Sequence, residues 1–201
     1  MPKKVDHFSR RASIAAAVWQ LMARGGLEAV SMRHVAAGAG MSLGQVQHYF
    51  PTKDELLAFA YELVAEQVAG RVRAPEALEP TDEEPRPRDV LRDALTELLP
   101  LDEDRELEAQ ITVAFLTRAA VAPELATRLR KAHAQLQDLI ADQLRRGQRR
   151  GVVPLHLEPG REARTLLSFV DGLTAHVLVG HHTPEDAEQA FDDYLDTLFT
   201  G

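Results

Sequence analysis

Apolar residues recur at helical spacing from one end of this chain to the other, and no stretch shows sustained alternation of β-branched residues between turn signals. Sheets are thereby excluded and an all-α fold is predicted. A first helix runs from about Arg10 to Arg24, with Ile14, Ala17, Val18, Leu21 and Met22 as its apolar stripe and Gly25-Gly26 as its stop. Ser31 caps a short helix, Met32 to Ala37, which Gly38 and Gly40 end. Ser42 caps the next, Gln45 completes a capping box three residues on, and Pro51 closes it. Thr52 and Glu55 form another such box, opening a helix that continues to about Val72.

The two short helices are joined only by Gly38 to Met41, which is helix-turn-helix spacing. In that motif the second helix enters the major groove by its N-terminal end, where neutral amide and imidazole groups can address base edges. Gly44 permits close approach, Gln45, Gln47 and His48 can read bases, and Tyr49 can donate its hydroxyl to a phosphate. Val46 and Phe50 face inward. The helix start at Thr52, with Lys53 in its first turn, offers an anion site for a second phosphate. Charge agrees with this division. In residues 1–50, Lys3, Lys4, Arg10, Arg11, Arg24 and Arg33 against Asp6 and Glu28 leave +4, so the overall −8 places −12 on residues 51–201. A basic head on an acidic body suits one face that approaches a polyanion.

The stretch "LEAVSMRHVAAGAGMSLGQVQHYFPTKDELL" resembles the DNA-binding segment of TetR-family transcriptional regulators, where a helix-turn-helix ends in a Tyr/His-Tyr-Phe element followed by Pro/Ser/Thr-Lys-Asp/Glu-Leu. The resemblance covers about residues 8 to 60. The remainder resembles the family's effector-binding, dimerising body in length, helicity and phrases such as "AFLTRAAVAPEL" and "FVDGLTAH". It implies a DNA-binding domain over residues 1–51 and a ligand-binding and dimerisation domain over 52–201, with 52–72 as the connecting helix. It implies a homodimeric, ligand-responsive regulator, a repressor released from a palindromic double-stranded DNA operator by a small molecule. The DNA-facing set is then Arg33, Ser42, Leu43, Gly44, Gln45, Gln47, His48, Tyr49, Thr52 and Lys53. Leu43 stands where relatives often carry a polar residue. With no Arg or Lys between Arg33 and Lys53, guanine reading from this helix gives way to adenine contacts by glutamine and thymine-methyl contacts by Leu43. The rival reading is a helical small-molecule-binding protein or enzyme that keeps the helix-turn-helix only as scaffold.

Beyond Val72, "RAPEALEPTDEEPRPRD" is too polar and proline-broken for helix and reads as a mobile connection. Helices resume at about Arg88 to Leu99, Asp102 to Val121, Pro123 to Arg150, Pro159 to Gly180 and Pro184 to Phe199. The last two are the expected subunit interface, through Leu166, Val170, Leu173 and Val177 on one and Phe191, Leu195 and Leu198 on the other. The alternative is that both stripes lie within one monomer core. An effector cavity is expected to use Tyr61, Leu95, Phe115, Arg118, Gln137 and Asp171. Arg118 has no acid, and Asp171 no base, three or four residues away, so each takes a partner from elsewhere. If Arg118 faces the cavity, the effector carries an acidic or carbonyl group; a pairing of Arg118 with Asp171 explains the arginine equally well.

Chemistry beyond binding finds no support. The chain has no cysteine, hence no disulfide and no thiolate nucleophile or metal ligand. No serine sits in a nucleophile elbow and no phosphate loop or dinucleotide fingerprint occurs, so the protein is expected not to be an enzyme and to need no cofactor. Adjacent His181 and His182, without a carboxylate at ligand spacing, are weak evidence for metal, and no metal site is expected. The longest run without charge, His34 to Thr52, contains Gly38, Gly40, Gly44 and Pro51, which excludes a membrane span and points to a cytoplasmic protein.

Overall fold

The computed structural model describes residues 2–73 and 85–199. Between them, residues 74–84 of the segment expected to be a mobile connection lie outside the described residues. The described residues form nine α-helices and no strand: α1 (Pro2–Ala29), α2 (Met32–Gly38), α3 (Leu43–Tyr49), α4 (Lys53–Arg73), α5 (Pro87–Thr96), α6 (Glu103–Ala119), α7 (Pro123–Arg149), α8 (Pro159–Leu178) and α9 (Pro184–Leu198). The all-α expectation holds. Helix α1 starts at Pro2 rather than near Arg10, and its Gly25-Gly26 stop is a break in which Gly26 adopts φ 62° before one further helical turn.

Side-chain caps set the helix starts. Ser31 Oγ accepts from the His34 N–H at 3.2 Å, and Ser42 and Gln45 close the expected capping box, with the Gln45 N–H donating to Ser42 Oγ (3.2 Å) and the Ser42 N–H to Gln45 Oε1 (2.8 Å). Thr52 Oγ1 accepts from the Glu55 N–H at 3.2 Å. At α8, the Glu158 carboxylate accepts from the Gly160 and Arg161 N–H groups, which holds it below the usual carboxylate range. A further box, Thr183 with Asp186, opens α9.

Two compact units are formed, residues 1–65 with 110–128, and residues 66–109 with 129–201. This division differs from a boundary at residues 51 and 52, because the start of α4, the end of α6 and the start of α7 go with the helix-turn-helix. In the first unit Ile14, Val18, Met22, Val35, Val46, Phe50 and Leu56 are buried, so α1 to α4 share one core. Tyr61 of α4 stacks on Phe115 of α6, ring centroids 4.2 Å apart and planes within 4° of parallel.

In the second unit Leu91, Leu95, Leu99, Ile140, Leu144, Leu166, Val170, Phe191 and Leu195 form one continuous core. Arg92 of α5 binds Asp192 of α9 through Nε (2.8 Å) and Nη2 (3.0 Å) and reaches Glu188 at 2.8 Å, while Arg88 binds Asp196. Arg71, near the end of α4, makes two hydrogen bonds to Glu108 of α6 and one of 2.6 Å to Glu97.

This core corrects the expected interface. Leu166, Val170, Leu173, Phe191, Leu195 and Leu198 are each at most 4% exposed within the single chain. They are monomer core, the alternative that periodicity had left open, because a helical stripe records burial without recording what buries it. Val177 alone of that set is only partly buried, packed at the edge of the core.

Candidate nucleic-acid interface

Helix α3 is held from beneath and open above. Val46 (0% exposed) and Phe50 (1%) point into the core, and Phe50 meets Phe59 of α4 at 5.3 Å. The Arg11 guanidinium lies 4.8 Å from the Phe50 ring and 4.3 Å from the Phe59 ring, a cation–π clamp between α1 and this junction. In the sequence Arg11 shows only as charge. With one face fixed, Ser42, Gly44, Gln45, Gln47 and His48 are exposed, and Leu43 and Tyr49 half-buried. The ridge is short and polar, with no Lys, Arg, Asp or Glu in it.

The amides of α3 are not equivalent. Gln45 Oε1 already accepts from the Ser42 N–H, which fixes the amide in the capping box and leaves one lone pair and the amide N–H groups for any contact outward. Gln47 is exposed and has no part in the cap. His48 and Tyr49 meet edge to face at 5.4 Å.

Cationic and hydroxyl groups flank the ridge. A cavity of about 460 Å³ is lined by Arg10, Met41, Ser42, Gly44, Gln45, His48 and Tyr49, which brings Arg10 of α1 beside the N-terminal end of α3. The place of Arg10 beside α3 is not legible in the sequence, because only the packing of α1 on the motif puts it there. Lys53 Nζ donates to the Leu27 carbonyl at 3.4 Å, tying the first turn of α4 to the end of α1. Arg33 is exposed on α2, and Thr52 is exposed at the α4 cap.

The residues expected to form the effector cavity are not alike. Leu95 (0% exposed), Phe115 (1%) and Tyr61 (6%) are packed core. Tyr61, Phe115 and Arg118 belong to the first unit, Leu95, Gln137 and Asp171 to the second. Arg118 is exposed and pairs with Asp54 at the start of α4, both contacts at 2.7 Å, so it is neither in an apolar setting nor joined to Asp171. Its guanidinium holds the Asp54 carboxyl below the ordinary carboxylate range. Gln137 is half-buried on α7. Asp171 reaches solvent, yet protein crowds its carboxyl enough that desolvation pushes it above the ordinary range, with His133 of α7 pulling the other way.

One grouping was not foreseen. His176, at the end of α8, lies with His181 and His182, their ligand atoms all within 4.8 Å of one another. No described helix is long and apolar enough to cross a membrane.

Residues 14–59 match the family described as bacterial regulatory proteins, tetR family, and residues 87–200 match the BetI-type transcriptional repressor C-terminal family. The HTH-type transcriptional regulator PksA of Bacillus subtilis (strain 168) is 31% identical over 179 residues, covering 89% of this chain and 83% of that protein. Among solved structures, a transcriptional regulator from Rhodococcus sp. Rha1 superposes with a TM-score of 0.79 at 35% identity, over 94% of this chain and 95% of that one. A putative transcriptional regulator from Saccharomonospora viridis in complex with choline shares the fold, with a TM-score of 0.82 at 22% identity over 95% of this chain and 98% of that one. The matched head spans the helix-turn-helix whose exposed ridge is described above, and the matched body spans α5 to α9; this chain belongs to the TetR family of DNA-binding transcriptional regulators.

Proposed function

We propose that this regulator is a cytoplasmic homodimeric repressor without enzymatic activity. It holds a palindromic operator through two copies of α3 and releases it when a small molecule binds the helical body. The observation that carries the reading is the asymmetry of α3: Val46 and Phe50 lock one face into the core, while Gln47, His48 and Gly44 stand exposed on the other. In the bound state Gln47 and His48 address base edges, Leu43 meets a thymine methyl, and Arg10, Arg33, Tyr49, Thr52 and Lys53 supply phosphate contacts. Selection of genomic fragments by the purified full-length protein should enrich an imperfect palindrome with half-sites about one helical turn, or slightly more, apart. Failure to enrich any common sequence would favour the rival, in which the motif serves only as scaffold.

The effector reading changes with the geometry. Arg118 is engaged with Asp54, which withdraws the argument for an acidic effector. Within the second unit, the Asp171 carboxylate, open to solvent and facing His133, is the acidic group that a cationic or hydrogen-bond-donating effector would meet. The choline bound by the Saccharomonospora viridis protein is of this chemistry. Linkage then requires operator and effector to weaken each other's binding by the same factor, typically about 5- to 150-fold.

Dimerisation uses what α8 leaves outside. Thr165, Ser168, Gly172 and Val179 are exposed and fall on one stripe, and a Cβ added at Gly172 would have no atom within 4 Å outside its own helix backbone. Small residues on that stripe allow a second copy's helix to approach closely.

A further inference from the structure

We propose that His176, His181 and His182 form a binding site for a divalent late first-row transition ion, with Zn²⁺ as the reference ligand. The site lies in the second unit, and the inference stands independently of the effector proposal above.

The backbone builds the cluster. Helix α8 ends at Leu178, and Gly180 takes φ 70°, a left-handed conformation that turns the chain back on the helix. The His176 carbonyl then accepts from the His181 N–H at 2.9 Å and from the His182 N–H at 3.3 Å, which fixes both residues over the last turn. Immediately afterwards Thr183 and Asp186 close the capping box of α9, so the histidine pair is held between two anchored helix ends. Three imidazoles from a span this short are thus brought together by main-chain hydrogen bonds rather than by flexible loops.

The ring geometry suits a shared ion. Centroid separations are 5.0 Å for His176–His181, 5.2 Å for His176–His182 and 4.8 Å for His181–His182. Three imidazoles on a tetrahedral ion, each nitrogen about 2.1 Å from the metal, have centroids about 5 Å apart. Nitrogens in such a site are about 3.4 Å apart, so the present spread of up to 4.8 Å closes by side-chain rotation with the backbone in place. The α8 carbonyls also end here, and the negative end of the helix dipole favours a cation. Three histidines leave the fourth position to water or another ligand, and imidazole donors suit zinc, copper and nickel over calcium or magnesium.

The test uses the full-length chain without an added histidine tag. Titration with Zn²⁺, followed by calorimetry, should give one ion per chain. Co²⁺ should develop the intense visible bands of a tetrahedral site. His176→Gln in the last turn of α8, and His181→Gln and His182→Gln just beyond it, should each weaken binding more than about 100-fold, since even groups one shell removed from a metal are worth 10- to 100-fold. Gly180→Ala keeps every ligand but strains the turn, and should weaken binding as well. His156→Gln, an exposed histidine outside the cluster, should bind as the parent does. Loss of affinity in His156→Gln equal to that in the cluster variants, or full affinity retained in His176→Gln, would reduce the site to adventitious surface binding and overturn the proposal. Helical circular dichroism on each variant, with Zn²⁺ raising the melting temperature of the parent and of His156→Gln only, separates lost ligation from lost folding.

Discussion

Arg118 and Asp54, 64 residues apart in sequence, are joined by two parallel hydrogen bonds of 2.7 Å, from Nε to Oδ1 and from Nη2 to Oδ2. The pair fastens the end of α6 to the first turn of α4, next to Lys53. A second cross-link, Arg128 to Glu62, ties the start of α7 to the same helix, and the Tyr61–Phe115 stack lies along the α4–α6 contact. Part of α6 and α7 therefore belongs to the same compact unit as the helix-turn-helix.

Arg118→Gln should consequently lower operator affinity while leaving the intrinsic affinity for effector unchanged, the reverse of what a pocket residue would do. Parallel fluorescence-anisotropy titrations with operator and with effector decide between them. Exposed pairs of this kind add little to stability, and the sign of their pH dependence is fixed. Asp54 titrates lower folded than unfolded, so the pair's contribution is present above the unfolded value of 3.8 and is lost as pH falls through the folded value. A difference in melting temperature between parent and Asp54→Asn that grew on acidification would contradict this.

Gln45 and Gln47 should separate in a competition assay over operator variants. Because Gln45 Oε1 closes the α3 capping box, Gln45→Ala removes a cap contact and should weaken binding to every sequence alike, with a stability loss of about 1 kcal/mol. Gln47→Ala leaves the cap intact and should cost about 1–3 kcal/mol only at particular base pairs, relaxing preference there. Unchanged operator preference in Gln47→Ala would move the reading register to another residue of α3.

Burial divides the dimer variants into two classes. Phe191→Asp or Leu195→Asp places a charge in the core of the second unit, where both residues are 0% exposed, and should unfold the body at a cost of about 4 kcal/mol or more. Gly172→Arg or Ser168→Arg adds bulk and charge on the open stripe of α8 and should give folded monomers with much weaker operator binding. Sedimentation velocity beside circular dichroism reads both outcomes. Folded dimers of Gly172→Arg, as stable as the parent, would put the interface elsewhere.

Local signals carried most of the fold. Ser31, Ser42 and Gln45 cap where their spacing predicts, proline opens α5, α7, α8 and α9, and the glycines at 38 and 40 bound the turn between α2 and α3. Each of these acts over three or four residues, within reach of sequence pattern. What escaped depends on distance. The partner of Arg118 lies on another helix, and the burial of Phe191 and Leu195 is set by α5 and α8 rather than by the period of α9. The position of Arg10 beside α3 follows from the packing of α1. His176 was separated from His181 and His182 by a turn whose left-handed Gly180 had not been recognised.

Phosphate contacts are countable by their salt dependence. Each cation that neutralises a phosphate adds about 0.9 to the slope of log affinity against log salt, and the exposed ridge of α3 contributes no lysine or arginine of its own. The slope must come from the flanks, so Arg10→Ala and Lys53→Ala should each reduce it by about one and weaken binding to operator and unrelated DNA by the same factor. Lys53→Ala also releases the Leu27 carbonyl that Nζ now engages, a local change that salt does not amplify. Measuring affinity at several salt concentrations isolates the phosphate part: a parallel line displaced to weaker binding would assign Lys53 to structure alone, and a shallower line assigns it to the DNA backbone.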